Sequence, residues 1–136
     1  MADETFYLRI IAATGKFFSG KVRSVIIPQC DGEKEVLAHH EDMVIAVDDG
    51  ELRFQEAGSS EWRRAVCGRG FIEITHNRAT ILVETCERPE DIDRVRAQAA
   101  KERAEEQLRQ KQSIQEYYHS SAALSRAMAR LKATRR

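Results

Sequence analysis

The feature that most constrains this chain is a change of period at one point. Up to residue 87, apolar and polar residues alternate and the run is broken every few positions by Gly, Asp-Gly or Asn. Beyond Arg88 the chain is built mainly from Ala, Arg, Glu, Gln and Lys, with no Gly and, after Pro89, no Pro. Alternation with period two belongs to strands and the Gly-free, Ala-rich stretch to helices. The boundary itself, Glu87 to Arg103, reads as a helix start. Pro89 suits a first turn because its missing N–H would be unpaired there, and Glu90, Asp91 and Asp93 bring negative charge to the positive end of the helix dipole. Two domains are therefore expected, 1–87 and 88–136.

In the first part, Phe6, Leu8 and Ile10 alternate with Tyr7, Arg9 and Ile11. Thr14-Gly15 then turns the chain, and Val22 to Ile27 is a nearly continuous β-branched run ending at Pro28. Asp31-Gly32 marks a tight turn, Met43 to Val47 another strand, and Asp49-Gly50 before Leu52 and Phe54 predicts a hairpin. Gly58-Ser59-Ser60, Gly68, Gly70 and His76-Asn77 separate further runs at Trp62 to Val66, Phe71 to Ile74 and Ala79 to Val83. Eight to ten short strands are too many for one open sheet, so the fold expected is an antiparallel β-sandwich or barrel followed by helices.

In the second part, Ile92, Val95 and Ala99 fall on one helical stripe, with Ala97, Ala100 and Ala104 beside it. Ser113-Ile-Gln-Glu116 is a capping box that starts a second helix near Ile114, with a break at 111–113. Ile114, Tyr117, Ser121, Leu124, Met128 and Leu131 then make a seam for a partner, so the two helices form a hairpin of marginal stability.

The net charge of zero conceals an asymmetry, because 1–87 holds 10 Lys and Arg against 15 Asp and Glu while 88–136 holds 12 against 7. Arg126, Arg130, Lys132, Arg135 and Arg136, with no acid after Glu116, make a basic helix suited to an acidic surface or to phosphate. The acidic Met1 to Glu4 start predicts no secretory leader, and no apolar run reaches bilayer length. Cys30, Cys67 and Cys86 are odd in number and widely spaced, which predicts reduced packing residues.

His39-His40-Glu41-Asp42 has no further ligand at metal spacing, so no metal site is expected, and no nucleophile–base pair or Gly-rich loop before a helix supports catalysis. The helices hold the better site. At about 100° per residue, Asp93, Arg96, Ala97, Ala100 and Arg103 share about a third of the circumference, leaving small side chains between one carboxylate and two guanidinium groups. Arg126 and Arg130, one turn apart, suit phosphates. The plainer reading of Asp93 and Arg96 is a surface ion pair.

Phe18-Ser19-Gly20, Gly32-Glu33, Leu37, His40, Gly70-Phe71-Ile72-Glu73 and Ala79-Thr80-Ile81-Leu82 in the first half, with Ile92-Asp93-Arg94-Val95-Arg96-Ala97 and residues 123–131 in the second, form a familiar series. On these residues the chain resembles, along its whole length, the epsilon subunits of rotary, F-type ATP synthases, with 92–97 matching the family's I-D-x-x-R-A pattern and 123–131 resembling its second helix. Two places depart: Glu35-Val36-Leu37-Ala38-His39-His40 stands where the family reads Gly-Ile-Leu-Pro-Gly-His, and Arg69-Gly70 where it has paired Gly.

The resemblance implies a non-catalytic central-stalk subunit of a proton- or cation-translocating synthase, peripheral on the cytoplasmic face of the bacterial inner membrane. Its sandwich would join the gamma shaft to the membrane c-ring, with Asp31, Gly32 and Glu33 facing the ring. Its helices would extend to the catalytic alpha and beta subunits and inhibit ATP hydrolysis, led by the cations Arg126, Arg130, Lys132, Arg135 and Arg136. It further implies regulatory ATP, with no obligatory cofactor, on Ile92, Asp93, Arg96, Ala97, Arg103, Arg126 and Arg130. Neither nucleic acid nor inserted membrane is a partner on this reading. The alternative is an autonomous nucleic-acid or acidic-partner binding module using the basic helix, which lacks stacking aromatics beyond Tyr117-Tyr118.

Overall fold

The computed structural model describes residues 4–109 and 114–134, without the side chains of 114–118. The chain divides into two compact units, Met1–Arg88 and Pro89–Arg136.

The first unit is built from nine strands: β1 Phe6–Ala12, β2 Gly15–Gln29, β3 Gly32–Leu37, β4 Met43–Val47, β5 Gly50–Glu56, β6 Trp62–Cys67, β7 Gly70–Thr75, β8 Arg78–Val83 and β9 Cys86–Glu87. They hydrogen-bond in one continuous path, β4-β7-β8-β1-β2-β5-β6-β9, with β3 also on β2. The path folds over at β2. Residues 15–22 of this strand pair with β1, whereas 24–29 pair with β3 and residues from Val22 on pair with β5, through a register shift between Val22 and Ser24. A bulge of this kind bends a strand and raises its twist, which lets one strand serve both layers. The alternation read from the sequence then points inward from both sides. Leu8, Ile10, Ile72 and Ile81 from one layer join Val25, Ile27, Leu52 and Phe54 from the other in a single buried cluster, each side chain worth about 1.5–3 kcal/mol.

Three connections show what local signals decided. His76 and Asn77 have φ of 50° and 58°, so both central residues of the β7–β8 hairpin are left-handed, the type I′ geometry that matches strand twist. Asn77 also anchors its surroundings. Its Nδ2 donates to Thr5 O at 3.0 Å and its Oδ1 accepts from the His39 N–H at 2.7 Å. Asp49-Gly50, by contrast, is no hairpin. β4 pairs with β7 while β5 pairs with β2 and β6, so this link crosses between layers. The Asp48 N–H donates to Pro28 O at 3.0 Å, and a Cβ on Gly50 would lie 2.9 Å from the Pro28 ring, so close approach and not turn geometry requires glycine here.

The second unit holds a 3₁₀ turn, Pro89–Asp91, then α1 Arg94–Arg109 and α2 Ile114–Thr134. The α-helix thus begins one turn later than Pro89 suggests. The apolar stripes also differ from expectation. Val95 is 80% exposed and Met128 51%, while Ala97, Ala104, Ser120, Ala127 and Ala133 are buried. The packed faces are the ones with small residues because these let helix axes approach closely. The predicted capping box and the break at 111–113 lie outside the described residues, as do the side chains of Ile114 and Tyr117.

One glycine tests the sandwich. A Cβ on Gly70 would sit 1.9 Å from Leu82 O in the neighbouring strand, and backbone cannot move aside as a side-chain tip can. Gly70→Ala should therefore lower unfolding free energy by about 3 kcal/mol, read as a fall in the urea midpoint.

Candidate functional site

The start of α1 sets the geometry of the helical site. Asp93 is its N-cap. Its Oδ1 accepts from the Arg96 N–H at 3.1 Å, and its carbonyl accepts the first helical bond, from the Ala97 N–H at 2.9 Å. Ile92, whose N–H donates to Pro89 O at 3.3 Å, is buried and so is Ala97. Asp93, Arg96 and Arg103 are exposed. The Ala surface expected to lie open between the charges is therefore partly covered, and the carboxylate is engaged with backbone. In place of the expected Asp93–Arg96 ion pair, the carboxylate is bonded to the Arg96 amide.

α2 runs antiparallel to α1. Ser120 Oγ donates to Gln107 Oε1 at 3.2 Å, and the 3₁₀ turn that precedes α1 packs on α2. Ten residues on from Ser120 is Arg130 and ten back from Gln107 is Ala97, so equal rise puts Arg130 level with the first turns of α1. Arg126 falls level with Lys101 by the same measure. Both arginines are half-buried and Lys132 is exposed. Among the described residues the guanidinium groups of Arg96, Arg103 and Arg126 have no hydrogen-bond or ion-pair partner. The rest of α1 carries ordinary surface pairs, Lys101–Glu105 at 3.8 Å and Arg109–Glu106 at 2.9 Å. Arg135 and Arg136 lie outside the described residues.

In the sandwich unit, Asp31 lies with Cys30 in the β2–β3 turn, and Gly32 and Glu33 begin β3, paired with Gln29 and Pro28. Gly32 has φ 139°, a conformation that L side chains rarely adopt, and Glu33 receives the Arg53 guanidinium at 2.9 Å. His39 takes a left-handed φ of 63°, at a position where the related pattern has Gly, and its amide is held by Asn77. Beside it Asp42 accepts from the His76 N–H at 3.2 Å and from Thr75 Oγ1 at 3.4 Å. The His39–Asp42 stretch is thus a corner that joins two turns.

Sequence reading missed a surface on the sandwich. Cross-strand register aligns Ala46 with Phe71, Phe71 with Leu82 and Leu82 with Ile11, an apolar row across β4, β7, β8 and β1. Phe71 is 41% exposed, and Ile11 and Leu82 line a shallow apolar cavity of about 360 Å³ with Arg69 and Glu84. The row could have been suspected from the apolar residues at outward positions of alternating strands.

The family model for the delta/epsilon chain beta-sandwich domain of ATP synthase matches residues 5–89, and that for its long alpha-helix domain matches 90–135. The chain belongs to the ATP synthase delta/epsilon family. It is 48% identical over 132 residues to the ATP synthase epsilon chain of Ruminiclostridium cellulolyticum, covering 97% of both chains. It is 42% identical over 131 residues to that of Caldanaerobacter subterraneus, covering 96% of this chain and 94% of that one. Its fold is similar to a chain in the Euglena gracilis mitochondrial ATP synthase OSCP/F1/c-ring structure, with TM-score 0.82 at 21% identity, covering 97% of this chain and 82% of that one. A chain of the Tetrahymena thermophila mitochondrial ATP synthase central stalk/c-ring structure gives TM-score 0.66 at 12% identity, covering 95% and 96%. The likeness spans both units, and the chain is a non-catalytic epsilon subunit of ATP synthase.

Within this family the capping role of Asp93 can be separated from a role for its charge. Asn accepts the same cap bond, so Asp93→Ala should weaken the first turn of α1 by about 1 kcal/mol and Asp93→Asn by a few tenths. Hydrogen exchange at the Arg96 and Ala97 amides is the check. Equal loss of protection in both variants contradicts the assignment.

Proposed function

We propose that this chain is the epsilon subunit of a bacterial proton- or cation-translocating ATP synthase, peripheral on the cytoplasmic face of the membrane. Its sandwich links the gamma shaft to the c-ring and its helices restrain ATP hydrolysis. The observation that carries this reading is the match of both units, in order, to epsilon chains of bacterial synthases. Gamma docks on the apolar row Ala46, Phe71, Leu82 and Ile11, because aromatic and aliphatic side chains already half out of water lose little by being covered and gain burial. The c-ring meets Asp31, Gly32 and Glu33, where the β2–β3 turn enters β3, a polar corner fitted to polar loops. Among the described residues no helix is long and apolar enough to cross a membrane.

The helices inhibit in an extended form, where Arg126, Arg130, Lys132, Arg135 and Arg136 reach acidic segments of the alpha and beta subunits. ATP holds the folded form. Arg126 and Arg130 come level with the α1 residues that include Arg96 and Arg103, so phosphates bind between guanidinium groups contributed by both helices, beside Ile92, Asp93 and Ala97. The unpartnered guanidinium groups of Arg96, Arg103 and Arg126 support this reading. Covered Ala97 and cap-bound Asp93 confine the base to the rim, near half-buried Ala100. A ligand specific to one form stabilises it by about 2.7 kcal/mol at a hundredfold excess over Kd, enough to move a marginal hairpin about a hundredfold.

Two measurements test the reading. Phe71→Ser should reduce co-purification with gamma at least tenfold while the isolated subunit melts unchanged; undiminished capture removes the row as the gamma site. Calorimetric titration with ATP should give binding that Arg126→Ala weakens about tenfold, as loss of a charge-assisted bond predicts. No heat at millimolar ATP removes the nucleotide switch.

A further inference from the structure

Cys67 and Cys86 are far apart in sequence yet directly opposite each other in the sandwich. Cys67 ends β6, Cys86 begins β9, and the antiparallel register pairs them. The next pair along the ladder, Gly68 and Thr85, is hydrogen-bonded, with the Gly68 N–H donating to Thr85 O at 2.9 Å. Antiparallel ladders alternate hydrogen-bonded with non-hydrogen-bonded pairs, so the cysteines occupy a non-hydrogen-bonded position. There Cα atoms lie about 4.5 Å apart and side chains lean together. A disulfide accepts Cα separations of about 4.4–6.8 Å, so the pair sits within range without moving either strand. Cys67 is buried, with its Sγ–H donating to Asp48 O at 3.8 Å, and Cys86 is half-buried against the core. All three cysteines are free thiols, Cys30 being exposed.

We infer that Cys67 and Cys86 form a dithiol site that a low-molecular-weight disulfide converts into a cross-strand disulfide, clipping β9 to β6. The half-buried thiol reacts first. Cys86 loses its proton and its sulfur attacks one sulfur of the small disulfide, breaking that S–S bond and releasing one small thiol, which takes up the proton. Cys67 then loses its proton and attacks the Cys86 sulfur, breaking the mixed S–S bond and releasing the second small thiol, which takes up that proton. The protein loses two hydrogens and two electrons, and the reagent is reduced to two thiols. β9 is two residues long and immediately precedes the 3₁₀ turn at Pro89, so the bond fixes the last strand before the helical unit.

The surroundings make the site slow to react. Burial pushes both thiols up to about 12, assisted at Cys67 by the charges of Cys86 and Asp49 and at Cys86 by Glu87. Thiolate is scarce at neutral pH, so attack is slow while β9 stays paired with β6. The close cross-strand placement then favours ring closure over a lasting mixed disulfide.

The test treats the full chain carrying Cys30→Ser with oxidised glutathione under native conditions. Both remaining thiols should disappear, the intact mass should fall by two hydrogens, and a linked peptide pair should contain Cys67 and Cys86. The sandwich should melt at least about 5 °C higher, and dithiothreitol should reverse every change. In Cys86→Ser the Cys67 thiol should stay unmodified, since it is buried. Peptide mapping of the unsubstituted chain gives the same readout independently of the Cys30→Ser change. Two titratable thiols after prolonged exposure, or a reaction that stops at a glutathione adduct on Cys86, overturns the proposal.

Discussion

A strand fifteen residues long that has to serve both layers of the sandwich is the constraint from which the rest of the first unit follows. β2 gives its first half to β1 and its second half to β3 and β5, and the register shift at Val22–Ser24 is where it bends. Because of that bend, Val22, Val25 and Ile27 of one strand all lie in the shared core. It also fixes the connections. The segment after β3 must return to the first layer to pair with β7, and the Asp49-Gly50 link must cross again, close enough to Pro28 that a side chain does not fit. Ion pairs from Arg69 to Asp48 at 3.5 Å and Asp49 at 3.2 Å brace the crossing point.

The helical unit is held by much less. A buried methyl contributes about 0.8 kcal/mol, against about 1.5–3 for a whole Leu, Ile or Phe. The sandwich buries many of the latter, while among the described residues the helices bury chiefly Ala and Ser and leave Val95 and Met128 largely in water. A helix pair of this kind closes with little margin. That contrast supports the proposal of assembly for the first unit and regulation for the second, since an element that changes form has to be drawn from the less stable part of a structure.

Local signals were legible and non-local ones were not. The switch of period near Arg88, the break between strands at His76-Asn77 and the strand count could all be read because each depends on a few neighbouring residues. Asp49-Gly50 misled because its glycine answers to Pro28, remote in sequence, and not to a turn. On α2 the expected seam departs from the structure at Met128, which is exposed, while Ser120 and Ala127 are buried; size of the apolar side chain does not mark the packed face there. Among the candidate site residues, the spacing of Asp93 and Arg96 was visible, but the capture of one carboxylate oxygen by the Arg96 amide was not. Cys67 and Cys86 looked unrelated for the same reason as the Asp-Gly link: only strand register brings them together.

The central claim is a division of labour between a sandwich that assembles and helices that restrain. Removing residues 89–136 and reconstituting the remaining unit with the other synthase subunits tests both halves together. The account predicts a complex that retains gamma and the c-ring and hydrolyses ATP several-fold faster than the one with the full chain. A truncated unit that fails to assemble, or an assembled complex whose hydrolysis is unchanged, contradicts it.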